Sequence, residues 1–223
     1  MTNALKNIDS WIFDLDNTLY PADSDLFPQV SVRMTRWIMD RFQLSEAEAI
    51  EKRGAYYKKY GTTLRGLMLH DDVNPDDFLG YVHDIDLTSL GPNPRLGALI
   101  EKLPGRRLVY TNGSRTHASR ILAKLGIDKH FVEIFDIIAA DYVPKPDPRP
   151  YLTLTQRFGI DPARACMVED LAVNLEPAKA MGMTTVWLEG SIGVDGARPR
   201  GPFVDYTITN LTDWLESVVG ATG

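Results

Sequence analysis

The sequence predicts an α/β fold, with a parallel β-sheet whose strands are joined by crossover helices and a helical insertion after the first strand. Short apolar runs rich in Val, Ile and Leu alternate with helical patterns along most of the 223 residues, which is typical of strands connected through helices. The stretch from about residue 21 to residue 90 instead contains helical patterns and no strand pattern. These observations predict a core domain formed by residues 1–20 and 91–223 and a helical domain formed by residues 21–90.

Composition and charge narrow the classes of protein to which the chain can belong. Its hydrophobic fraction of 44% is sufficient for a sizeable buried core, and no apolar run approaches the roughly 18–20 residues of a transmembrane helix. The start of the chain lacks the pattern of a secretory signal, and the single cysteine, Cys166, excludes an intrachain disulfide framework. A net charge of −6 disfavours a nucleic acid polymer as a partner. We therefore expect a cytoplasmic protein without a membrane or nucleic-acid partner, either a monomer or a homodimer.

Six short apolar runs are the predicted strands. In chain order they are Ser10–Phe13, Arg107–Tyr110, Asp136–Ala139, Cys166–Val168, Thr184–Leu188 and Tyr206–Ile208. In a parallel sheet the carboxyl ends of the strands lie at one edge, where the ligands of α/β proteins bind. The residues that follow each run are therefore the candidates for a functional site.

The predicted helices begin with N-capping residues that are followed by helical spacing. These N-caps are Ser45, Asn74, Asn93 and Ser114. Ser45 forms a capping box with Glu48, and both asparagines precede a proline at the first helical position. Because the insertion begins at the carboxyl end of the first strand, we expect it to cover the site.

Polar residues suited to catalysis follow four successive predicted strands. They are Asp14 and Asp16, then Thr111 and Asn112, then Lys145, and finally Glu169 and Asp170. Taken singly, each has an ordinary structural explanation as a turn residue, a helix cap or a solvated lysine. Their joint placement at four strand ends instead indicates one site, in which four carboxylates share a crevice.

Such a group of carboxylates requires a cation. Two like charges about 4 Å apart cost roughly 4 kcal/mol at an effective dielectric constant near 20, and a divalent metal ion removes this cost. Oxygen ligands without a neighbouring His or Cys favour Mg²⁺. Lys145 and the Thr111 hydroxyl would then help to bind an anion, and the helix that begins near Ser114 would add its positive end. These groups together predict phosphoryl transfer, which depends on positioning and charge compensation.

The motifs resemble those of the haloacid dehalogenase-like (HAD) superfamily of aspartate-nucleophile phosphatases. The matches are Asp14-Leu15-Asp16-Asn17-Thr18 to the first motif, Thr111 to the second, Lys145 to the third and Glu169-Asp170 to the fourth. The resemblance implies a Rossmann-like three-layer α/β/α core with a parallel sheet and an inserted helical cap of the C1 type. It also implies that Asp14 is the nucleophile and that Asp16 is the general acid and then the general base. Mg²⁺ would be held by Asp14, the backbone carbonyl of Asp16 and Asp170, with Glu169 in support.

By the same resemblance, Lys145 takes part in catalysis and binds the phosphate together with Thr111 and Asn112. Two positions depart from the superfamily pattern. Asn17 replaces the glycine of many members, and we expect the turn to form because asparagine tolerates left-handed backbone angles. Asn174 replaces a second acid, and we expect its amide to bond to a ligand carboxylate or to water.

The insertion resembles that of the pyrimidine 5′-nucleotidase branch of the superfamily. This finer resemblance is carried by Asn17, Leu19, Tyr20 and the stretch 56–67. Tyrosine rings can stack on a base, and polar groups can bind its edge. We therefore predict that Tyr60, Arg65 and His70 bind the substrate; the alternative is that the tyrosines of this stretch form the packed face of a helix.

The sequence thus predicts a Mg²⁺-dependent phosphomonoester hydrolase that forms an aspartyl-phosphate on Asp14 and acts on a small phosphorylated metabolite, with pyrimidine nucleoside 5′-monophosphates as the expected substrates. A sugar-phosphate phosphatase, a phosphomutase and a non-catalytic protein that binds a phosphorylated metabolite remain open as alternatives. A dehalogenase is disfavoured because it needs neither an acid at Asp16 nor a metal. His83, His117 and His130 lack metal-ligand spacing, which predicts surface or helix positions for them.

Overall fold

A six-stranded parallel sheet forms the centre of the fold. In the computed structural model, which describes residues 3–190 and 201–220, the strands are β1 (Ser10–Phe13), β2 (Arg106–Tyr110), β3 (Glu133–Phe135), β4 (Ala165–Glu169), β5 (Thr184–Leu188) and β6 (Tyr206–Ile208). They lie in the order β3-β2-β1-β4-β5-β6, and every neighbouring pair is parallel. Residues 1–2, 191–200 and 221–223 of the predicted core domain lie outside the described residues. The predicted parallel sheet is confirmed.

Helices lie before, between and after these strands. Within the described residues the α-helices are α1 (Leu26–Phe42), α2 (Glu46–Tyr60), α3 (Thr63–Asp71), α4 (Pro75–Val82), α5 (Pro94–Lys102), α6 (Arg115–Leu125), α7 (Pro148–Phe158), α8 (Leu175–Ala180) and α9 (Leu211–Gly220). The first four of them lie between β1 and α5, and no strand interrupts this described stretch. An α/β fold with a helical insertion is therefore confirmed, whereas the domain boundaries near residues 20 and 90 remain a prediction.

Apolar side chains fill both faces of the sheet. β1 and β4 are buried along their whole length, as expected for strands that are covered on two sides and have continuous apolar sequences. On one face Phe13 belongs to a core with residues of α5, α6 and α9, and on the other face Ile12 belongs to a core with residues of α7 and α8. This arrangement is a three-layer α/β/α core. Among the described helices, none combines the length and the apolar character that crossing a bilayer requires.

The third predicted strand is wrong in position. The sequence predicts it at Asp136–Ala139, but β3 spans Glu133–Phe135 and the following residues form a turn. The Asp136 carboxylate accepts hydrogen bonds from the backbone N–H groups of Arg115 and Ala139, at 2.8 and 2.9 Å. An aspartate that satisfies nearby backbone donors in this way stabilises a turn instead of a strand.

Capping and aromatic packing define the helices of the insertion. Ser45 and Glu48 form the predicted capping box, with Ser45 N donating to Glu48 Oε2 at 2.8 Å. Trp37 of α1 makes an edge-to-face contact with Phe78 of α4, and the two ring centroids are 5.1 Å apart. Such aromatic pairs add stability beyond their buried area. The insertion therefore has its own packing between α1 and α4.

Candidate active site

Three buried carboxylates meet where two neighbouring strands end. Asp14 directly follows β1, Glu169 is the last residue of β4, and Asp170 comes next. The backbone N–H of Asp14 donates to Val168 O at 2.9 Å, so the parallel pairing of the strands continues into the site. One carboxylate oxygen from each of Asp14, Glu169 and Asp170 lies within 4.8 Å of the others, and all three residues are buried. This cluster could hold a metal ion.

The Lys145 ammonium lies between two of these carboxylates. Nζ donates to Asp14 Oδ1 at 2.6 Å, to Glu169 Oε1 at 2.8 Å and to Tyr110 O at 3.0 Å. These three acceptors use all three N–H groups of a lysine, and the residue is only 2% exposed. The Asn112 side chain supports the loop, because Lys145 N donates to Asn112 Oδ1 at 2.9 Å. The lysine is therefore fixed in a single position beside Asp14.

Charge and burial shift the pKa values of this pair. Burial raises the pKa of Asp14 from 3.8 to about 7, because Lys145 offsets only part of the desolvation and the charges of Glu169 and Asp16 add to it. Burial also disfavours the Lys145 ammonium, but the charges of Asp14 and Glu169 outweigh this effect, and the pKa of Lys145 is raised. The site thus holds more negative charge than a single lysine neutralises.

Asp16 has a more polar environment than Asp14. Its Oδ1 accepts hydrogen bonds from Tyr20 OH at 2.6 Å and from His117 Nε2 at 3.1 Å, whereas Thr111 Oγ1 lies 3.5 Å from Oδ2. Burial alone would raise the pKa of Asp16, but the charge and the hydrogen bond of His117, with the hydrogen bond of Tyr20, lower it to about 2. The Asp16 side chain is 21% exposed, so it can reach a bound ligand.

The residues that follow β2 add polar groups to the site. Thr111 is buried, and its hydroxyl accepts from Gly113 N at 2.9 Å. Ser114 caps α6 as predicted, with its hydroxyl accepting from His117 N at 3.3 Å. Thr111 therefore lies beside Asp16 and just before α6, whose N-terminal end favours a nearby anion.

The two departures from the superfamily pattern both have a structural role. Asn17 adopts a left-handed backbone angle with φ of 60°, so the predicted turn forms. The amide of Asn174 donates to Glu169 Oε1 at 2.6 Å, and Leu171 N donates to Glu169 Oε2 at 2.7 Å. The predicted hydrogen bond from Asn174 to a carboxylate is thus confirmed. Both oxygens of Glu169 accept hydrogen bonds.

The insertion contacts the site through the turn between α2 and α3. A Cβ atom placed on Gly61, which has φ of 82°, would lie 3.1 Å from Pro144 Cγ and 3.3 Å from Lys145 O. The turn therefore packs directly on the loop that carries the lysine. Tyr60 adjoins this turn, and its hydroxyl pairs with His70 Nε2.

Arg65 is near the same loop. The hydrogen bond from Arg149 is the main cause that lowers the pKa of Asp147, and the charge of Arg65 adds to it. His70 is exposed, and Tyr60 and Arg65 are half-buried. The roles predicted for Tyr60, Arg65 and His70 in binding a substrate remain predictions.

Two of the histidines predicted at surface or helix positions are buried in helices. His117 is 2% exposed, its ring stacks on that of His83 at a centroid distance of 4.2 Å, and it bonds to Asp16. His130 is also buried. The surface alternative is therefore wrong for His117 and His130. The available sequence signal was the position of His117 in the first turn of the helix that follows Thr111.

The carboxylates lie at the point where the strand order reverses, between β1 and β4, which is the usual ligand site of an open α/β sheet. Fold and site together define a Rossmann-like α/β protein with an acidic centre covered by a helical insertion. The chain belongs to the haloacid dehalogenase-like hydrolase family, whose model matches residues 8–182.

Several curated proteins are similar to this chain. Phosphate metabolism protein 8 of Saccharomyces cerevisiae is 27% identical over 195 residues, which cover 78% of this chain and 59% of that protein. A phosphoglycolate phosphatase of Neisseria meningitidis is 26% identical over 235 residues, covering 98% of this chain and 97% of its own. Fructose-1-phosphate phosphatase YqaB of Escherichia coli is 33% identical over 109 residues, covering 47% and 56%. The chain thus spans only 59% of the yeast relative's length.

Solved structures share the fold at lower identity. A HAD phosphatase from Thermococcus onnurineus has a TM-score of 0.63 and 21% identity, with 96% of this chain and 98% of that chain covered. The L-2-haloacid dehalogenase of Xanthobacter autotrophicus has a TM-score of 0.57 and 16% identity, with 96% and 99% covered. At these identities the likeness concerns the fold alone.

Proposed function

We propose that this protein is a Mg²⁺-dependent phosphomonoester hydrolase that acts on small phosphorylated metabolites through an aspartyl-phosphate on Asp14. The observation that carries the proposal is the buried cluster of Asp14, Glu169 and Asp170, whose ligand oxygens lie within 4.8 Å of one another. The Lys145 ammonium contacts this cluster at 2.6 Å from Asp14. A phosphate dianion needs such positive charge beside the carboxylate that attacks it.

The donor set fits Mg²⁺. All three candidate ligands offer carboxylate oxygens, which hard divalent cations prefer. Asp14, Asp170 and the backbone carbonyl of Asp16 would hold the ion, and Glu169 would support it because its oxygens also bind Asn174 and Leu171. When bound, the ion supplies positive charge that offsets the repulsion between the carboxylates and the phosphate. The HAD-hydrolase YfnB of Bacillus subtilis, which has a TM-score of 0.54 with this chain, is bound to magnesium.

The reaction proceeds in two displacements. In the first, an Asp14 oxygen forms a bond to phosphorus while the bond from phosphorus to the leaving oxygen breaks, and Asp16 gives its proton to that oxygen. In the second, Asp16 takes a proton from water, the water oxygen bonds to phosphorus, and the bond to Asp14 breaks. Inorganic phosphate leaves, and both aspartates return to their starting states. During both steps the positive charge of Lys145 offsets the charge on the phosphoryl group, and the Thr111 hydroxyl binds a phosphoryl oxygen.

The proposed substrate class is based on the relatives and on the position of Tyr60 in the insertion. The relatives include phosphatases named for fructose 1-phosphate and for phosphoglycolate, so we propose small sugar phosphates and related phosphorylated metabolites as the main class. Nucleoside 5′-monophosphates, pyrimidine ones in particular, form a second class, because Tyr60 adjoins the turn at Gly61 that touches the Lys145 loop. A tyrosine in this position can stack on a base.

Phosphate release by the purified protein tests the proposal. We expect activity with Mg²⁺ on a panel that contains fructose 1-phosphate, phosphoglycolate, uridine and cytidine monophosphates and p-nitrophenyl phosphate. Chelation with EDTA should abolish the activity, and added Mg²⁺ should restore it.

A matched pair of variants tests the nucleophile. Asp14→Asn should remove nearly all turnover, whereas Asp213→Asn should not, because Asp213 is an exposed partner of Arg95. Full activity of the Asp14 variant would refute the assignment, and silence on the whole panel would refute the proposed function. An isomerised sugar phosphate in place of free phosphate would identify a phosphomutase.

A further inference from the structure

Two buried donors converge on a single oxygen of Asp16. Tyr20 OH and His117 Nε2 both contact Oδ1, at 2.6 and 3.1 Å. Among the described residues, the hydrogen-bond partner of Oδ2 is Thr111 Oγ1, and its distance of 3.5 Å is long for a hydrogen bond between oxygens. The two oxygens of this carboxylate therefore have unequal environments.

Both donors are held in place by packing. Tyr20 and His117 are each only 2% exposed. In the state in which Asp16 is ionised, its carboxylate can only accept hydrogen bonds, so the hydrogen of the His117 ring that faces it is on Nε2. His83 stacks on one face of this ring at a centroid distance of 4.2 Å with an interplanar angle of 16°, and its own Nδ1 lies 3.0 Å from Ser114 Oγ.

The close fit extends to the backbone beside the ring. A Cβ atom on Gly113 would lie 3.3 Å from His117 Cδ2 and 3.3 Å from Thr111 Oγ1. Glycine at this position leaves room for the imidazole next to the threonine hydroxyl. The ring of His117 thus has His83 stacked on one face and Asp16 bonded at its edge, and these contacts restrict its rotation.

We propose that Tyr20 and His117 are positioning residues that hold Asp16 by Oδ1 and thereby present Oδ2 to the leaving oxygen and to water. This inference rests on the proposed function, in which Asp16 first donates and then accepts a proton. The proton that Asp16 carries in the first step is on Oδ2, because both donors keep Oδ1 as an acceptor. It passes to the leaving oxygen when the phosphorus–oxygen bond breaks.

Dependence on the leaving group distinguishes positioning from general stability. An alkyl phosphate releases a strongly basic oxygen and needs the proton, whereas p-nitrophenyl phosphate releases a stable anion and needs little help. The ratio kcat/KM reports the steps up to the first irreversible one, which is formation of the aspartyl-phosphate. Loss of the positioning residues should therefore lower kcat/KM for the alkyl ester and leave it little changed for the aryl ester.

Three substitutions separate the contributions. Tyr20→Phe removes the hydroxyl and keeps the ring, and His117→Leu removes the donor. His117→Gln returns an N–H group near the position of Nε2. Tyr56→Phe is the matched control, since Tyr56 OH also donates to an aspartate, Asp71, at 2.8 Å, but lies in the insertion.

We expect Tyr20→Phe and His117→Leu each to lower kcat/KM for fructose 1-phosphate by ~10–100-fold, as when a reacting group is misplaced by a fraction of an ångström to 1 Å. His117→Gln should regain part of this loss, and Tyr56→Phe should behave like the wild type. Circular dichroism checks folding, and if His117→Leu does not fold, Tyr20→Phe and His117→Gln still decide the question.

Equal losses for both esters, or no loss for either, would overturn the inference while leaving the proposed function intact. A wild-type protein that hydrolyses neither ester would overturn the proposed function and the inference together.

Discussion

Replacing Lys145 with methionine should destabilise the metal-free protein strongly. Methionine has a similar length and fills the same space without charge. The change removes the three hydrogen bonds of Nζ and leaves Asp14 and Glu169 buried together without their shared cation. Breaking a buried pair by removing one partner costs about 3–5 kcal/mol, because the remaining charge is uncompensated. For a chain of this size, such a loss lowers the thermal midpoint by on the order of 10 °C.

The size of this loss should depend on pH. The pKa of Asp14 is raised to about 7, so at pH 5 this carboxyl is protonated and loses little when the lysine is removed. At pH 8 Asp14 is ionised in the wild type, and the variant must protonate it or bear its repulsion with Glu169. The difference in unfolding free energy between the two proteins should therefore be larger at pH 8 than at pH 5.

Thermal and urea unfolding in EDTA at the two pH values measure this difference. Lys179→Met is the matched control, because Lys179 pairs with Asp205 at 2.5 Å on the surface with 38% of its side chain exposed, and such pairs contribute about 0–1 kcal/mol. Added Mg²⁺ should stabilise the Lys145 variant more than the wild type, since a cation then neutralises the unpaired carboxylates. A loss no larger than that of Lys179→Met, or one independent of pH, would refute the reasoning.

Three further substitutions probe the site and the helical insertion beside it. Asp14→Asn should stabilise the protein in EDTA at pH 8, because the pKa of Asp14 rises from 3.8 to about 7 on folding. The stability that this carboxyl contributes is fully present below about pH 4 and is lost as the pH rises through 7, up to about 4 kcal/mol at 1.36 kcal/mol per pKa unit. Urea unfolding at pH 5 and pH 8 measures the difference, and an equal effect of the substitution at both pH values would contradict it. Asn174→Asp replaces the donor to Glu169 Oε1 by a like charge, so calorimetry in EDTA should show a loss of about 1–3 kcal/mol that Mg²⁺ reduces. Gly61→Ala should lower kcat/KM more than Gly126→Ala does, because both glycines have positive φ but only at Gly61 would the new Cβ press on Pro144 and Lys145. Equal kinetics of the two variants would show that the contact between the Gly61 turn and the Lys145 loop is unimportant.

The strand ends could be predicted because their sequences are dictated by burial. β1 and β4 are covered on both faces, so their apolar runs are continuous and end abruptly at Asp14 and at Glu169–Asp170. The run that begins at Asp136 has the same apolar character, yet it is a turn because the Asp136 carboxylate binds two backbone N–H groups. Hydropathy alone does not distinguish an apolar turn from an apolar strand.

The contacts around Asp16 could not be predicted in the same way. His117 is separated from Asp16 by 101 positions in the chain, and the two meet because β1 and β2 are neighbours and α6 begins above them. Strand order is a property of the folded sheet, and no motif in the sequence specified that this histidine would face the acid. Tyr20 could be noted as part of a family-like motif, but its bond to Oδ1 depends on the turn at Asn17.

The Lys145 loop differs from the other parts of the site in what holds it. Asp14, Thr111 and Glu169 lie at or next to the ends of three adjacent strands, β1, β2 and β4, so the hydrogen bonds of the sheet fix their spacing. Lys145 lies ten residues beyond β3, and its backbone is held by the side chain of Asn112. This loop is also the part of the core that the Gly61 turn of the insertion touches. A shift of the Gly61 turn would therefore act on the position of the Lys145 ammonium group, which is why the Gly61 and Lys145 variants probe the same connection from its two ends.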